Sequence, residues 1–165
     1  VRTAGGERFI PNFIENRLKF SSFVRNVAVV GAGRADLTAI VCIDDVAVGH
    51  WTEQRAISYG SYADLSQKPE VYDLVESVVR HVNKDQPEPL RVRRFVNLHK
   101  DFDPDDGEIT RTRKLRRNVI ETNYAPLVDA LYDGSGKVTF EASITYEDGT
   151  TSSLSRELTI RKVPD

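Results

Sequence analysis

Residues Asp101–Asn118, DFDPDDGEITRTRKLRRN, set a run of carboxylates directly before a run of cations. Four chemistries use such a juxtaposition: a calcium loop, a phosphate- or nucleic-acid-binding patch, a solvated surface of mixed charge, and a mobile catalytic lysine. The Asp101, Asp103, Asp105 rhythm imitates an EF-hand. Its sharp-turn glycine, however, belongs at position 106, and Gly107 comes one place late. Its bidentate glutamate belongs at position 112, where Thr112 stands, so an EF-hand is excluded. Arg111, Arg113, Lys114, Arg116 and Arg117 offer phosphate ligands. They lack the interleaved aromatics and broad basic surface of a nucleic-acid reader, so no nucleic-acid partner is expected.

Other residues with chemical potential carry less. Gly31 and Gly33 in VAVVGAGRADL begin a G-x-G-x-x-G, but Asp36 takes the third glycine's place. The following LTAIVCID also has the pattern of a strand, where a dinucleotide site needs a helix N-terminus. A hairpin turn is the expectation. His50, His81 and His99 share no ligand spacing, so no metal site is expected, and His81 belongs on the surface or boundary of a long helix. Cys42 lies in an apolar run and is expected to be a buried small hydrophobe.

The elements that must position these residues follow from periodicity. Pro11 suits the first turn of a helix that brings Phe13, Ile14 and Leu18 near one face. Val24–Val30 and Leu37–Ile43 have the pattern of two strands around the glycine turn. Val48, Trp51, Arg55 and Ile57 fall at roughly helical spacing. KPEVYDLVESVVRHVNK is the clearest helix, with Val71, Leu74, Val75, Val78, Val79 and Val82 in one stripe, stopped before DQPEPLR. RRFVNLH is a short strand, and KLRRNVIETNYAPLVDALY is a helix interrupted or restarted near Pro126. Beyond DGSGK, residues 135–165 alternate as a two-stranded β-hairpin extension turning at EDGT, marginal alone and therefore packed on something. The fold class expected is α+β: a small mixed domain of short strands and two to three helices, plus that hairpin.

Composition narrows the classes. The 165 residues are 39% hydrophobic and 29% charged with a net charge of −2, an ordinary globular balance with no pull toward nucleic acid or anionic membrane. One cysteine precludes an internal disulfide and fits a reducing, cytoplasmic setting. No apolar run is long enough to span a bilayer. The chain has no Met and opens mid-motif at VRTAGGERF, which is expected of a piece of a longer protein.

Four segments in register then resemble one family. GGERFIPNFIEN, SQKPEVYDLV, VNKDQPEPLRVRRFV and DDGEITRTRKLRRNVIETNYAPLVDALY resemble, in order, the C-terminal domain of long-chain acyl-CoA synthetases (fatty acid–CoA ligases) of the adenylate-forming superfamily. The resemblance covers residues 1 to about 134. The wider superfamily has a Ser-Gly-Lys motif where this chain has TRTRK, which is similar to the Thr-x-Thr-x-Lys of the long-chain branch.

The resemblance implies residues 1–134 as a mobile lid domain and 135–165 as a hairpin extension. It implies Lys114 as the adenylation lysine, and Gly5 and Gly6 as the segment at the CoA pantetheine channel. Arg113 and Arg116 match less firmly and receive no role. The implied substrates are fatty acid, ATP and CoA, with Mg²⁺ on the phosphates, bound mainly by an N-terminal AMP-binding domain of the same polypeptide. Peripheral contact with a membrane is compatible with such substrates. The competing expectations are a stand-alone binding or regulatory module derived from this domain, and part of an acyl-AMP ligase that passes its adenylate to a carrier.

Overall fold

The computed structural model describes residues 1–145, 149 and 151–164. Strands β1 (Val24–Val30), β2 (Leu37–Ile43), β3 (Val92–Asn97), β4 (Lys137–Thr145) and β5 (Thr151–Lys162) form one sheet in the order β1-β2-β3-β5-β4. Only β2 and β3 pair in parallel among the described residues; β1–β2, β3–β5 and β4–β5 are antiparallel. The helices are α1 (Pro11–Leu18), α2 (Asp45–Glu53), α3 (Tyr62–Gln67), α4 (Pro69–Asn83), α5 (Arg117–Asn123) and α6 (Ala125–Tyr132).

The α+β expectation is met, with six helices among the described residues where two to three were expected. The additions are short. α3 has six residues, too few to display a hydrophobic period, and is fixed by Ser61, whose hydroxyl accepts from the Asp64 N–H. The α5–α6 break falls at Tyr124, two residues before Pro126, where proline has no N–H to continue the ladder. α2 ends before Arg55 and Ile57, because the chain turns through a left-handed Ala56 at φ 57°.

Every residue of β2 is buried, which places layers on both faces of the sheet. On one face, Ile14 and Leu18 of α1 and Val71, Val75, Val79 and Val82 of α4 pack on Val29, Leu37, Val41 and Phe95. On the other, Ile120, Leu127, Val128 and Leu131 of α5–α6 pack on Ala28, Ile40, Cys42 and Val96. Cys42 is fully buried as expected, and burial pushes its thiol pKa well up. The Gly31–Gly33 segment is the expected hairpin turn. A Cβ on Gly31 would meet Leu37 at 2.1 Å, and Gly33 takes φ 69°.

The terminal hairpin packs on this domain's own sheet. β5 pairs with β3 through Arg94–Lys162, Phe95–Arg161 and Val96–Ile160. Leu158, Ile160 and Val163 are buried, while Val138 and Phe140 are half-buried. The expected turn at 147–150 lies outside the described residues, Gly149 apart, as do the side chains of Ala142, Ile144, Tyr146 and Leu154.

His81 is exposed on α4, whereas His99, just past β3, is half-buried with its ring 5.4 Å from that of Phe140. Its Nδ1 has no hydrogen-bond partner among the described residues. Burial, reinforced by Lys100 and Arg156, lowers its pKa from 6.5 to about 4. Between those values the unfolded chain binds a proton that the folded chain refuses, so stability falls as pH drops from 6.5 toward 4. His99→Phe keeps the ring and removes the titration. Its melting temperature is expected to drop less than that of the wild type between pH 7 and about pH 4.5. Parallel profiles would refute this assignment.

Candidate functional site

Lys114 was expected at the start of a helix, in KLRRNVIETNYAPLVDALY. It instead lies in a short hairpin, and α5 begins three residues later at Arg117. Ile109 bridges Leu115; the Thr110 N–H donates to the Lys114 carbonyl and the Arg113 N–H to the Thr110 carbonyl, both at 2.8 Å. Arg113 closes the turn in the left-handed region, at φ 66°. The Thr110 hydroxyl accepts from the Lys114 N–H at 3.0 Å and lies 3.0 Å from the Thr112 hydroxyl. The Thr-x-Thr-x-Lys pattern thus has a local meaning: Thr110 orients the backbone that carries the lysine. The Lys114 side chain is exposed, and its ammonium has no hydrogen-bond or ion-pair partner among the described residues.

Both legs of this hairpin are pinned by buried carboxylates. Glu108 is 2% exposed and accepts from Lys100 at 3.2 Å, from the Asp103 N–H at 3.1 Å and from Asn123 at 3.2 Å. Burial opposes the Lys100 charge, but its bonds to Asp106 and Glu108 outweigh that and raise its pKa. On the other leg, Arg117 donates through both terminal nitrogens to the two oxygens of Glu15 on α1, also 2% exposed. A Glu15 oxygen also accepts from the Val29 N–H at 2.7 Å.

The preceding carboxylates do not all face solvent. Asp105 and Asp106 are exposed, but Asp101 accepts from Asn26 at 2.7 Å and from the Phe102 N–H at 2.8 Å, and lies 3.5 Å from Arg113. The acidic run therefore ties the arm to β1. A groove of about 460 Å³ borders the arm, lined by Asn12, Lys19, Asn26, Arg113, Lys114 and Arg117 among others. Its cations and carboxamides suit an anionic ligand. No group of three His, Cys, Asp or Glu able to hold a metal occurs among the described residues.

Gly5 and Gly6 lie at the tip of a second small hairpin, closed by an Arg2–Arg8 bridge and by the Thr3 N–H on the Glu7 carbonyl at 2.9 Å. It leans on the β1–β2 turn, where the Ala4 N–H donates to the Arg34 carbonyl at 2.7 Å. The turn itself accounts for Gly6, at φ 87°. It does not account for Gly5, where an added Cβ would meet only the Thr3 hydroxyl, at 3.9 Å. Neither glycine lines the groove at Lys114, so the two expected sites are separate places on the surface.

Sequence reasoning did not single out Glu15, Arg117, Glu108 or Asn26 as a set. The available signal was Glu15 itself, a carboxylate beside Ile14 and one turn from Leu18 on the face that α1 buries.

Comparison with known proteins places this geometry in context. A family model described as the AMP-binding enzyme C-terminal domain matches residues 1–136, which take in both hairpins. The chain is 29% identical over 134 residues to the long-chain-fatty-acid–CoA ligase FadD15 of Mycobacterium tuberculosis, covering 81% of this chain and 22% of that one. To the human long-chain-fatty-acid–CoA ligase ACSBG1 it is 28% identical over 150 residues, covering 80% of this chain and 21% of the relative. The chain thus spans about a fifth of the length of these curated relatives. Among solved structures, the adenylation domain of a carboxylate reductase from Mycobacterium chelonae superposes with a TM-score of 0.62 at 22% identity, over 80% of this chain and 19% of that one. The adenylation–carrier didomain of a carboxylic acid reductase from Segniliparus rugosus, in complex with AMP, gives 0.61 at 18% identity, over 81% and 17%.

Proposed function

Because this chain belongs to the AMP-binding enzyme C-terminal domain family, we propose that it is the mobile lid of an ATP-dependent long-chain fatty acid–CoA ligase. The parent joins fatty acid, ATP and CoA into acyl-CoA, AMP and pyrophosphate through an acyl-adenylate. The observation that carries this reading is the exposed Lys114, without an ion-pair partner among the described residues, on a hydrogen-bonded hairpin beside a cation-lined groove, in a chain whose relatives are named as such ligases.

Adenylation brings a carboxylate against the α-phosphate of ATP, and the two anions repel. A cation held between them orients both and offsets the charge that shifts in transfer. The ammonium of Lys114 supplies that charge, and Thr110 and the pinned legs preorganise it. Mg²⁺ would neutralise phosphate charge from the N-terminal domain's side. In the second half-reaction the domain swings, withdraws Lys114 and presents Gly5–Gly6 to the pantetheine channel, where a missing Cβ admits a narrow thiol-bearing ligand. The pinned arm moves with the domain as one body. Isolated, the chain is expected to show no turnover, because the fatty-acid tunnel and most ATP contacts belong to the N-terminal domain.

The test assays the full-length parent, wild type and Gly5→Leu, with oleate, ATP, Mg²⁺ and CoA. Wild type is expected to yield AMP, pyrophosphate and oleoyl-CoA. Gly5→Leu, at a position outside the left-handed region, is expected to keep ATP–pyrophosphate exchange with oleate and lose thioester formation by about 10- to 100-fold. Release of ADP would refute the ligase reading. Wild-type adenylate without thioester would mark an acyl-AMP ligase, and thioester formation indifferent to Gly5→Leu would remove the glycine assignment.

A further inference from the structure

The Glu15–Arg117 pair joins residues 102 apart in sequence, with the carboxylate almost wholly removed from solvent. Such a pair is a poor way to gain stability, since desolvating the carboxylate consumes much of the attraction, while the Arg117 side chain stays 36% exposed. What it does provide is geometry. The guanidinium fork meets a carboxylate along two parallel bonds, which sets angle as well as distance. Arg117 is the first residue of α5, three after Lys114. Glu15 is held in turn by the Val29 N–H on β1, the edge strand of the sheet. Glu15, Arg117 and Lys114 all line the same groove.

We propose that Arg117 and Glu15 are positioning residues that set the reach of Lys114 in adenylation, by clamping the outgoing leg of its hairpin to α1 and β1. The proposal rests on the reading of Lys114 as the adenylation lysine. The incoming leg has its own anchor in Glu108, so loss of the clamp leaves the arm attached while its outgoing leg loses the tie to α1 and β1. A 1 Å error in placing the ammonium is enough to cost up to about 10²-fold in rate.

The experiment uses the full-length parent protein with Arg117→Lys, Glu15→Gln and Lys114→Ala in parallel. Arg117→Lys keeps the charge that neutralises Glu15 but gives up the fork. Glu15→Gln keeps the volume and an oxygen for Val29. ATP–pyrophosphate exchange with oleate reports adenylation, thioester formation from supplied oleoyl-AMP reports the second half-reaction, and a melting curve reports folding. The clamp predicts that Arg117→Lys and Glu15→Gln lower the kcat of exchange by about 10- to 100-fold. It also predicts an unchanged KM for ATP and thioester formation within about twofold of wild type. A purely structural pair would lower both half-reactions together, in step with the melting temperature, and that result overturns the proposal. So does wild-type exchange in Arg117→Lys while Lys114→Ala is dead. Undiminished exchange in Lys114→Ala removes the reading on which the clamp rests.

Discussion

Lys114→Ala in the full-length parent is expected to lower adenylation by about 10²–10³-fold, or ~3 kcal/mol of transition-state stabilisation. Thioester formation from supplied acyl-AMP is expected to continue at close to the wild-type rate. The asymmetry follows from the geometry. The ammonium has no partner among the described residues, so its removal breaks no fold contact, and the melting temperature should not move. The neighbouring cations are poor substitutes. Arg113 points back toward Asp101 from a left-handed turn residue, and Arg117 is committed to Glu15. Equal loss in both half-reactions would mean that Lys114 serves binding common to both. No loss in either would return the hairpin to the status of a charged surface arm.

Deleting residues 135–165 is expected to lower the melting temperature of the isolated chain by more than about 10 °C. The deletion strips Leu158, Ile160 and Val163 from the core, each worth about 1.5–3 kcal/mol when buried. It also opens the ladder edge of β3 and leaves Tyr72 without the Thr159 carbonyl and Gln67 without the Thr159 N–H. At roughly 2–4 °C per kcal/mol for a domain of this size, an apolar term of about 4.5–9 kcal/mol corresponds to a drop of roughly 9–36 °C. A melt unchanged within about 2 °C would show the hairpin to be a passenger, whatever its pairing. The hairpin lies largely beyond the residues matched by the family model, which end at 136.

How far these features were legible depended on whether their causes were local. β1 and β2 were legible to the residue, because an apolar run on each side of a glycine turn is a short-range signal. The α4 stripe was equally plain, although Leu74 and Val78 proved half-buried at its margin. Lys114 and the two glycines were reached through motif order rather than geometry. The same stretch misled as to local structure. KLRRN has good helix formers, and nothing within it reveals that Leu115 will bridge Ile109 and hold the lysine out of the helix. Gly5 and Gly6 look alike as letters, yet only Gly6 is required by its backbone angle.

From its own residues, then, the chain declares strands, helices, breakers, an unpaired cysteine and the order of motifs that marks its family. All of these depend on side-chain type and on spacings of two to four residues. Folding chose the partners. Glu15 found Arg117 and Val29, Asn26 found Asp101, and the terminal strand found β3 rather than standing apart. A buried carboxylate accepts whichever donors the packed layers bring to it, and which donors arrive depends on contacts spanning up to a hundred residues. Lys114 could therefore be picked out from the sequence as a cation in the right motif. The clamp that holds it at one distance from the sheet arises only when α1, β1 and α5 meet.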